Sequence, residues 1–409
     1  MTSETSGRRS PLWITACCAW LALLLAVSIK SVVEPVEHSA YPCFEAGSRC
    51  WCEGKNLYEM AVCGHEYRYG PAFAVAMAPL AQLPTWLGGL LWNWVNIAAY
   101  FCAVCALVRW VLPSPWRGTV PFSRPTFASL PENRDSPHQA AFLLLVLLGA
   151  ARMIWAAQTN ALVFALVAGA AVAIRQERWW WAAVLLAVPV HVKVWPLAAA
   201  LLMTACWPRQ LAWRLAVSLL GVGAIPFLTK PFAWVCSQYH AWFSMLVGPA
   251  QIRHVYRDAW TIWELIYVPV NEQGYLALQL AAAAAALGLC WWYRRRATSP
   301  AALLTFILAL WTAWQMVFGP GTERNTFGLI APLSAWGLLT ALVGAISNRP
   351  YPTLEEKRGR VLMCTAFALT TLANFGVVER ALADFFPAVV AMHPVGVLLF
   401  VAWLLAWAR

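Results

Sequence analysis

The chain has 409 residues, of which 61% are hydrophobic and only 11% charged, with 26 tryptophans and a formal net charge of +11. That apolar content exceeds what the core of a water-soluble protein of this size uses, which excludes a soluble globular enzyme and indicates a polytopic membrane protein. The positive charge does not imply a nucleic-acid partner, because the arginines stand in short clusters between apolar runs and not along one face or in a tail.

Several apolar runs reach the roughly 17 to 25 residues that cross a bilayer as helix, and no alternating barrel pattern is present, so the expected fold is an all-α membrane bundle. The first run, Leu12 to Val33, is too long for a signal-peptide core and lacks a small-residue cleavage site. It is expected to stay as a first span behind Arg8 and Arg9, with the N-terminus inside. Placing the basic clusters at 109–138, 175–178, 207–214, 294–299 and 347–360 in the cytoplasm predicts spans at 12–33, 86–108, 139–156, 158–174, 179–192, 194–206, 211–228, 275–293, 300–318, 327–346, 361–379 and 388–407. That is about 12 spans, with both termini cytoplasmic and a single membrane-embedded domain over 1–409.

The outward connections are then 34–85, the joint at Gln158, the joint at Lys193, the segment 229–274, the stretch "GPGTERNT" at 319–326, and 380–387. The first is expected to carry re-entrant or interfacial helices, and the Pro-rich segment 113–138 reads as an irregular cytoplasmic linker. Predicted spans 179–192 and 194–206 are well short of a full crossing, so they must tilt, re-enter or border a cavity. Lys193 lies where they meet.

Cys43, Cys50, Cys52 and Cys63 crowd the first outward connection, where an oxidising compartment allows one or two disulfides of undetermined pairing. A zinc site is the weaker rival, since a Cys-x-Cys spacing without a second pair is not a usual ligand set. No Gly-rich phosphate loop is present.

The same connection gathers Glu34, Glu37, Glu45, Glu53, Glu59 and Glu66 with His38, His65, Arg49, Lys55 and Arg68. Any single glutamate here is more simply a solvated surface charge, but the order of the parts carries a pattern. Glu37 is followed four positions later by Tyr41, then by "EGKNLY" ending at Tyr58, then by "YGPAFAVAMAPLAQLP" from Tyr69. Further on stand "AAQTNALVFALVAGAAVA" with Gln158 and Asn160, "HVKVWPL" with Lys193, and "FGPGTERNTFGLIAPL" with Glu323. In order and spacing these landmarks resemble the membrane glycosyltransferases of family 87, bacterial mannosyltransferases that take sugar from a polyprenyl-phosphate donor. Two departures stand out: the family's usual first acid is Asp where this chain has Glu37, and the extra loop cysteines are its own. The resemblance implies a glycosyltransferase C fold that inverts the anomeric centre with no cofactor or metal. It also implies a polyprenyl-phosphate sugar donor, a lipid or glycan acceptor, membrane lipids as surroundings, and a multi-pass cell-membrane enzyme working at the extracytoplasmic face.

The residue types suit that chemistry. An acceptor hydroxyl is a poor nucleophile, so a carboxylate must take its proton during attack; Glu37 is the first candidate, with Glu45 and Glu34 as alternates. The leaving lipid phosphate gains negative charge as its bond to the sugar breaks, and Lys193, Arg68 and Arg253 are candidate cations for it. Tyr41, Tyr58, Tyr69, Gln158, Asn160 and Glu323 are candidate substrate contacts. Bland readings stand beside each: Lys193 as a snorkelling lysine, Asn160 as a helix cap, His191 as a packed side chain, and Glu323 with Arg324 as a surface ion pair. The stretch "QIRHVYRDAWTIWEL" reads as an amphipathic interfacial helix. A transporter or lipid flippase and a non-catalytic assembly factor are the rival functions; the first calls for two halves with matching interruptions, whereas the polar residues here gather on one side.

Overall fold

The computed structural model describes residues 11–113, 137–247, 272–319, 322–343, 353–372, 374–375, 377–378, 381 and 392–409. The Pro-rich linker 113–138, the "QIRHVYRDAWTIWEL" stretch with Arg253, and the connection 380–387 fall outside these residues wholly or almost wholly. Every regular element among the described residues is helical.

In chain order the helices are α1 (Pro11–Val33), α2 (Tyr41–Glu53), α3 (Met60–Cys63), α4 (Pro71–Ala81), α5 (Thr85–Trp110), α6 (Pro137–Trp155), α7 (Asn160–Arg175) and α8 (Trp179–Val192). They continue as α9 (Leu197–Cys206), α10 (Pro208–Ala224), α11 (Phe232–Val247), α12 (Glu272–Arg294), α13 (Pro300–Phe318), α14 (Ala331–Val343), α15 (Leu354–Leu372) and α16 (Met392–Trp407). Among the described residues, six stretches are long and apolar enough to cross a membrane: α1, α5, α6, α10 with the 3-10 turn Ile225–Leu228, most of α12, and α13. Shorter apolar helices, α7, α8, α9, α14 and α16 among them, fill the space between.

The core forms around α13, whose side chains are almost all buried. Ser299 starts this helix by accepting a hydrogen bond from the Ala302 amide, and Pro300 occupies the first turn, where its missing N–H costs nothing. Trp311 at its centre stacks on Trp195 and Phe164, which ties α13 to the α8–α9 joint and to α7. On the outside, α1 exposes Leu21, Leu25 and Ile29, and α10 exposes Val217 and Leu220, as a bilayer-facing surface requires.

Helix α15 starts seven residues before the span predicted at 361–379. Hydropathy sees only its apolar part, whereas the polar first turns are held by a capping box. The Thr353 amide donates to the Glu356 carboxylate at 2.7 Å, and the Glu356 amide donates to the Thr353 hydroxyl at 3.2 Å. The span predicted at 327–346 is likewise split, into a 3-10 stretch Arg324–Leu329 and α14.

The first connection folds into α2, α3 and α4, with α2 packed on α4 and both resting on α5. Cys50 and Cys63 form a disulfide that ties α2 to α3, while Cys43 and Cys52 keep free thiols. This pairing removes two of the four thiols from the zinc reading.

Candidate active site

The site is built where the first connection meets the α8–α9 joint. Gly70 donates its backbone N–H to the carbonyl of Val192 at 3.4 Å, so the "YGP" of the connection lies backbone to backbone against "HVK". A Cβ at Gly70 would sit 2.3 Å from the carbonyl oxygen of His191, so only glycine permits this approach. The close contact places Tyr69 beneath Lys193, whose ammonium stands 5.3 Å from the ring centroid.

Lys193 follows Pro189 and the end of α8 in an extended conformation, which turns its side chain inward between the two short helices. Its ammonium donates to the Asn160 side-chain oxygen at 2.9 Å. Burial pulls the Lys193 pKa down to about 8, against Glu323, which pulls it up, and with Arg68, which adds to the lowering. Lys193 is half-buried, and its ammonium is held by the asparagine, which a lysine extended freely to water would not be.

Asn160 is buried and does not cap α7; its amide nitrogen points to the Thr326 hydroxyl at 3.5 Å. Thr326 in turn accepts from the Glu323 amide at 3.1 Å. The late outward loop is thus joined to the Lys193 pocket, and Glu323 lies at its exposed edge. Arg68 pairs with Glu66 at 2.7 Å on the same side of the site. Cys43, which sequence reasoning placed only among possible disulfide partners, also belongs here: its thiol donates to the Glu66 carbonyl, and burial pushes it up to about 11, so it stays neutral.

Glu37 lies on the other flank, in the exposed segment between α1 and α2, with its carboxylate 3.6 Å from the His38 ring. Two anchors hold this segment. Lys30, buried near the end of α1, donates to the carbonyls of His38 at 2.8 Å and Trp155 at 2.9 Å. The Ala40 amide donates to the Ala156 carbonyl at 3.0 Å. The turn 156–160 therefore joins both flanks: its first residue holds the Glu37 segment, and its last bonds Lys193. Asn96 fixes the middle of the turn by donating to the Gln158 carbonyl at 2.6 Å.

The remaining candidates are placed differently. The Glu45 carboxylate is buried on α2, bound by Arg49 and by the Thr85 hydroxyl, and Glu34 is exposed at the end of α1. Tyr41 is fully buried and donates to the Leu80 carbonyl at 3.0 Å, while Tyr58 donates to the Tyr69 carbonyl at 2.9 Å. Both tyrosines brace the folded connection. His191 bonds the Leu219 carbonyl at 2.9 Å and packs toward α10.

Sequence reasoning passed over Lys30 and Arg152. Both are cations at the ends of apolar spans opposite the basic clusters, and a charge placed against the positive-inside pattern was the available signal.

The family model that matches this chain is "Glycosyltransferase family 87", over residues 67–320, a stretch that includes Tyr69, Asn160 and Lys193. No curated protein matches. Among solved structures, the chain is similar to ArnT from Cupriavidus metallidurans in the apo state, at 15% identity and a TM-score of 0.35, over 96% of this chain and 78% of that one. The same protein bound to undecaprenyl phosphate is similar at 15% identity and a TM-score of 0.35, over 96% and 77%. That likeness is too distant to bear on any residue's role. With more than half of its length matched, this chain belongs to glycosyltransferase family 87, the membrane glycosyltransferases that depend on polyprenyl-phosphate sugars.

Proposed function

We propose that the protein transfers mannose from polyprenyl-phosphate-mannose to a glycolipid or glycan acceptor at the extracytoplasmic face of the cell membrane, by a single inverting displacement. The observation that carries this reading is the half-buried Lys193 ammonium, held by Asn160 over Tyr69 at the joint of two short helices. A cation fixed in a partly dry pocket stabilises a leaving phosphate more as its charge grows, which is a transition-state effect.

In this mechanism the acceptor hydroxyl attacks the anomeric carbon and passes its proton to Glu37. The bond from that carbon to the phosphate oxygen breaks, and its electron pair leaves with the lipid phosphate toward Lys193 and Arg68. Attack and departure on opposite sides of one carbon invert its configuration. Glu45 and Glu34 remain the alternates for the base, and the Arg49 and Thr85 contacts favour a bracing role for Glu45. Arg253 is retained as a further donor-phosphate contact on the sequence pattern alone. The whole chain acts as one catalytic unit, with 34–85 and 229–274 as its extracytoplasmic loops.

Purified protein in nanodiscs with radiolabelled polyprenyl-phosphate-mannose and membrane-derived acceptors tests the reading. Wild type is expected to release polyprenyl phosphate and label a product with inverted stereochemistry. Translocation of the intact lipid across a proteoliposome membrane without sugar release would favour the flippase instead.

A further inference from the structure

At the end of the bundle opposite the candidate active site, a groove of about 380 Å³ runs between α15 and α16. Lys357, Arg358, Val361, Leu362 and Thr365 of α15 line it together with Leu399 of α16. Its place in the membrane follows from the course of α15. Just past the end of that helix, the Asn374 side chain donates to the Gly149 carbonyl at 3.0 Å, and Gly149 stands on α6 shortly before the turn 156–160 of the site. A helix of 19 residues spans about 28 Å, close to the thickness of a bilayer's hydrocarbon core, so the first turns of α15 lie at the other membrane face. The basic residues gathered there mark that face as cytoplasmic.

The groove has an apolar part and a charged part, one helical turn apart. Lys357 and Val361 are four residues apart on α15, as are Arg358 and Leu362, so each cation stands directly above an apolar side chain on the same face. Val361 is 68% exposed, so no described residue covers the apolar floor. Neither Lys357 nor Arg358 forms an ion pair among the described residues. Arg360, on the same turn, has its Nε and one Nη buried without a hydrogen-bond partner among them. Of the two carboxylates in the first turn, Glu356 accepts from the Thr353 amide, and neither it nor Glu355 lines the groove. An apolar trough at acyl-chain depth, closed at headgroup level by two unpaired cations, complements a lipid that carries a net negative charge.

We infer that this groove binds an anionic phospholipid of the cytoplasmic leaflet, with its phosphate between Lys357 and Arg358 and an acyl chain along Val361, Leu362 and Leu399. The site is separate from the donor and acceptor machinery and does not depend on the transferase reading. A lipid held there bridges α15 and α16 at one face, while the His393–Asn374 contact at 3.3 Å joins the far end of the same pair.

The test is native mass spectrometry of detergent-solubilised full-length protein titrated with phosphatidylglycerol and with phosphatidylcholine. Wild type is expected to bind one phosphatidylglycerol roughly 25-fold more tightly than phosphatidylcholine, about fivefold for each cation. Replacing both cations, Lys357→Gln with Arg358→Gln, is expected to abolish that preference. Thr365→Trp fills the trough and leaves both cations in place; it is expected to weaken phosphatidylglycerol binding about fivefold or more. Arg295→Gln removes an exposed arginine outside the groove and is expected to keep the full preference. Equal binding of the two lipids by wild type, or an unchanged preference in both the double variant and Thr365→Trp, overturns the inference. So does an equal loss in Arg295→Gln, which would reduce the effect to general surface charge, and so does displacement of the lipid by equimolar glycerol phosphate, which would leave the chains no part in binding.

Discussion

Lys193, the proposed cation for the leaving phosphate, is held at a cost to the fold. Its pKa is held at about 8 by burial, below the ordinary lysine value near 10.5. The folded protein therefore releases this proton at lower pH than the unfolded chain does. Between about pH 8 and pH 10.5 the unfolded state binds more protons, so this group's contribution to stability rises with pH across that window and is least favourable below pH 8, where the half-buried ammonium is charged. Catalysis runs the other way, because only the protonated lysine receives a phosphate. Donor use at saturating acceptor is expected to fall as pH rises through about 8, and Lys193→Met is expected to lose at least about 100-fold in kcat/KM while melting no lower than wild type. A flat rate from pH 7 to 9.5, or a Lys193→Met protein of wild-type activity, would falsify the assignment. At Glu37 the expected change is in the base alone: Glu37→Gln should lower kcat by about 100-fold or more with the donor KM unchanged.

At the scale of elements, the site depends on backbone contacts that leave no room for adjustment. Gly70→Ala would push a methyl group into the His191 carbonyl, so the "YGP" stretch and the α8–α9 joint must separate. The expected result is a folded protein with a lowered melting temperature and a donor KM raised severalfold; unchanged kinetics would mean that the contact does not place Lys193. On the opposite flank, Lys30→Met removes the ammonium that holds both His38 and Trp155 carbonyls. Limited proteolysis between residues 34 and 40 is expected to quicken in that variant, and a cleavage rate equal to wild type would show the clamp to be dispensable. The Cys50–Cys63 bridge closes a sequence separation of 13 residues, for which chain entropy gives about 3 kcal/mol. Cys63→Ser should lower the melting temperature and leave the pH profile of transfer in place.

Much of this arrangement was legible before any coordinates, for identifiable reasons. The long apolar runs gave α1, α5, α6 and α13 because hydropathy over a bilayer's width is a strong signal, and the shortness of the runs on either side of Lys193 marked the joint. The motif order also singled out Glu37, Tyr69, Asn160 and Lys193. What stayed hidden was the set of contacts between distant segments. Nothing local in the sequence links Asn160 to Thr326 or Arg152 to Asn325, and Tyr41 and Tyr58 read as substrate contacts although their hydroxyls are spent on backbone carbonyls. The polar start of α15 was missed because its capping box carries no hydropathy signal.

The molecule as a whole is a membrane glycosyltransferase of family 87 in which one turn, 156–160, separates the proposed base on the first connection from the proposed cation at a broken helical pair. The central claim is sugar transfer driven by that pair. The most direct measurement is single-turnover release of polyprenyl phosphate from radiolabelled polyprenyl-phosphate-mannose by purified wild type, Glu37→Gln and Lys193→Ala in nanodiscs supplied with native membrane acceptor. Product is expected with wild type, donor binding without product for Glu37→Gln, and weakened donor binding for Lys193→Ala. Transfer at the wild-type rate by either variant would contradict that claim.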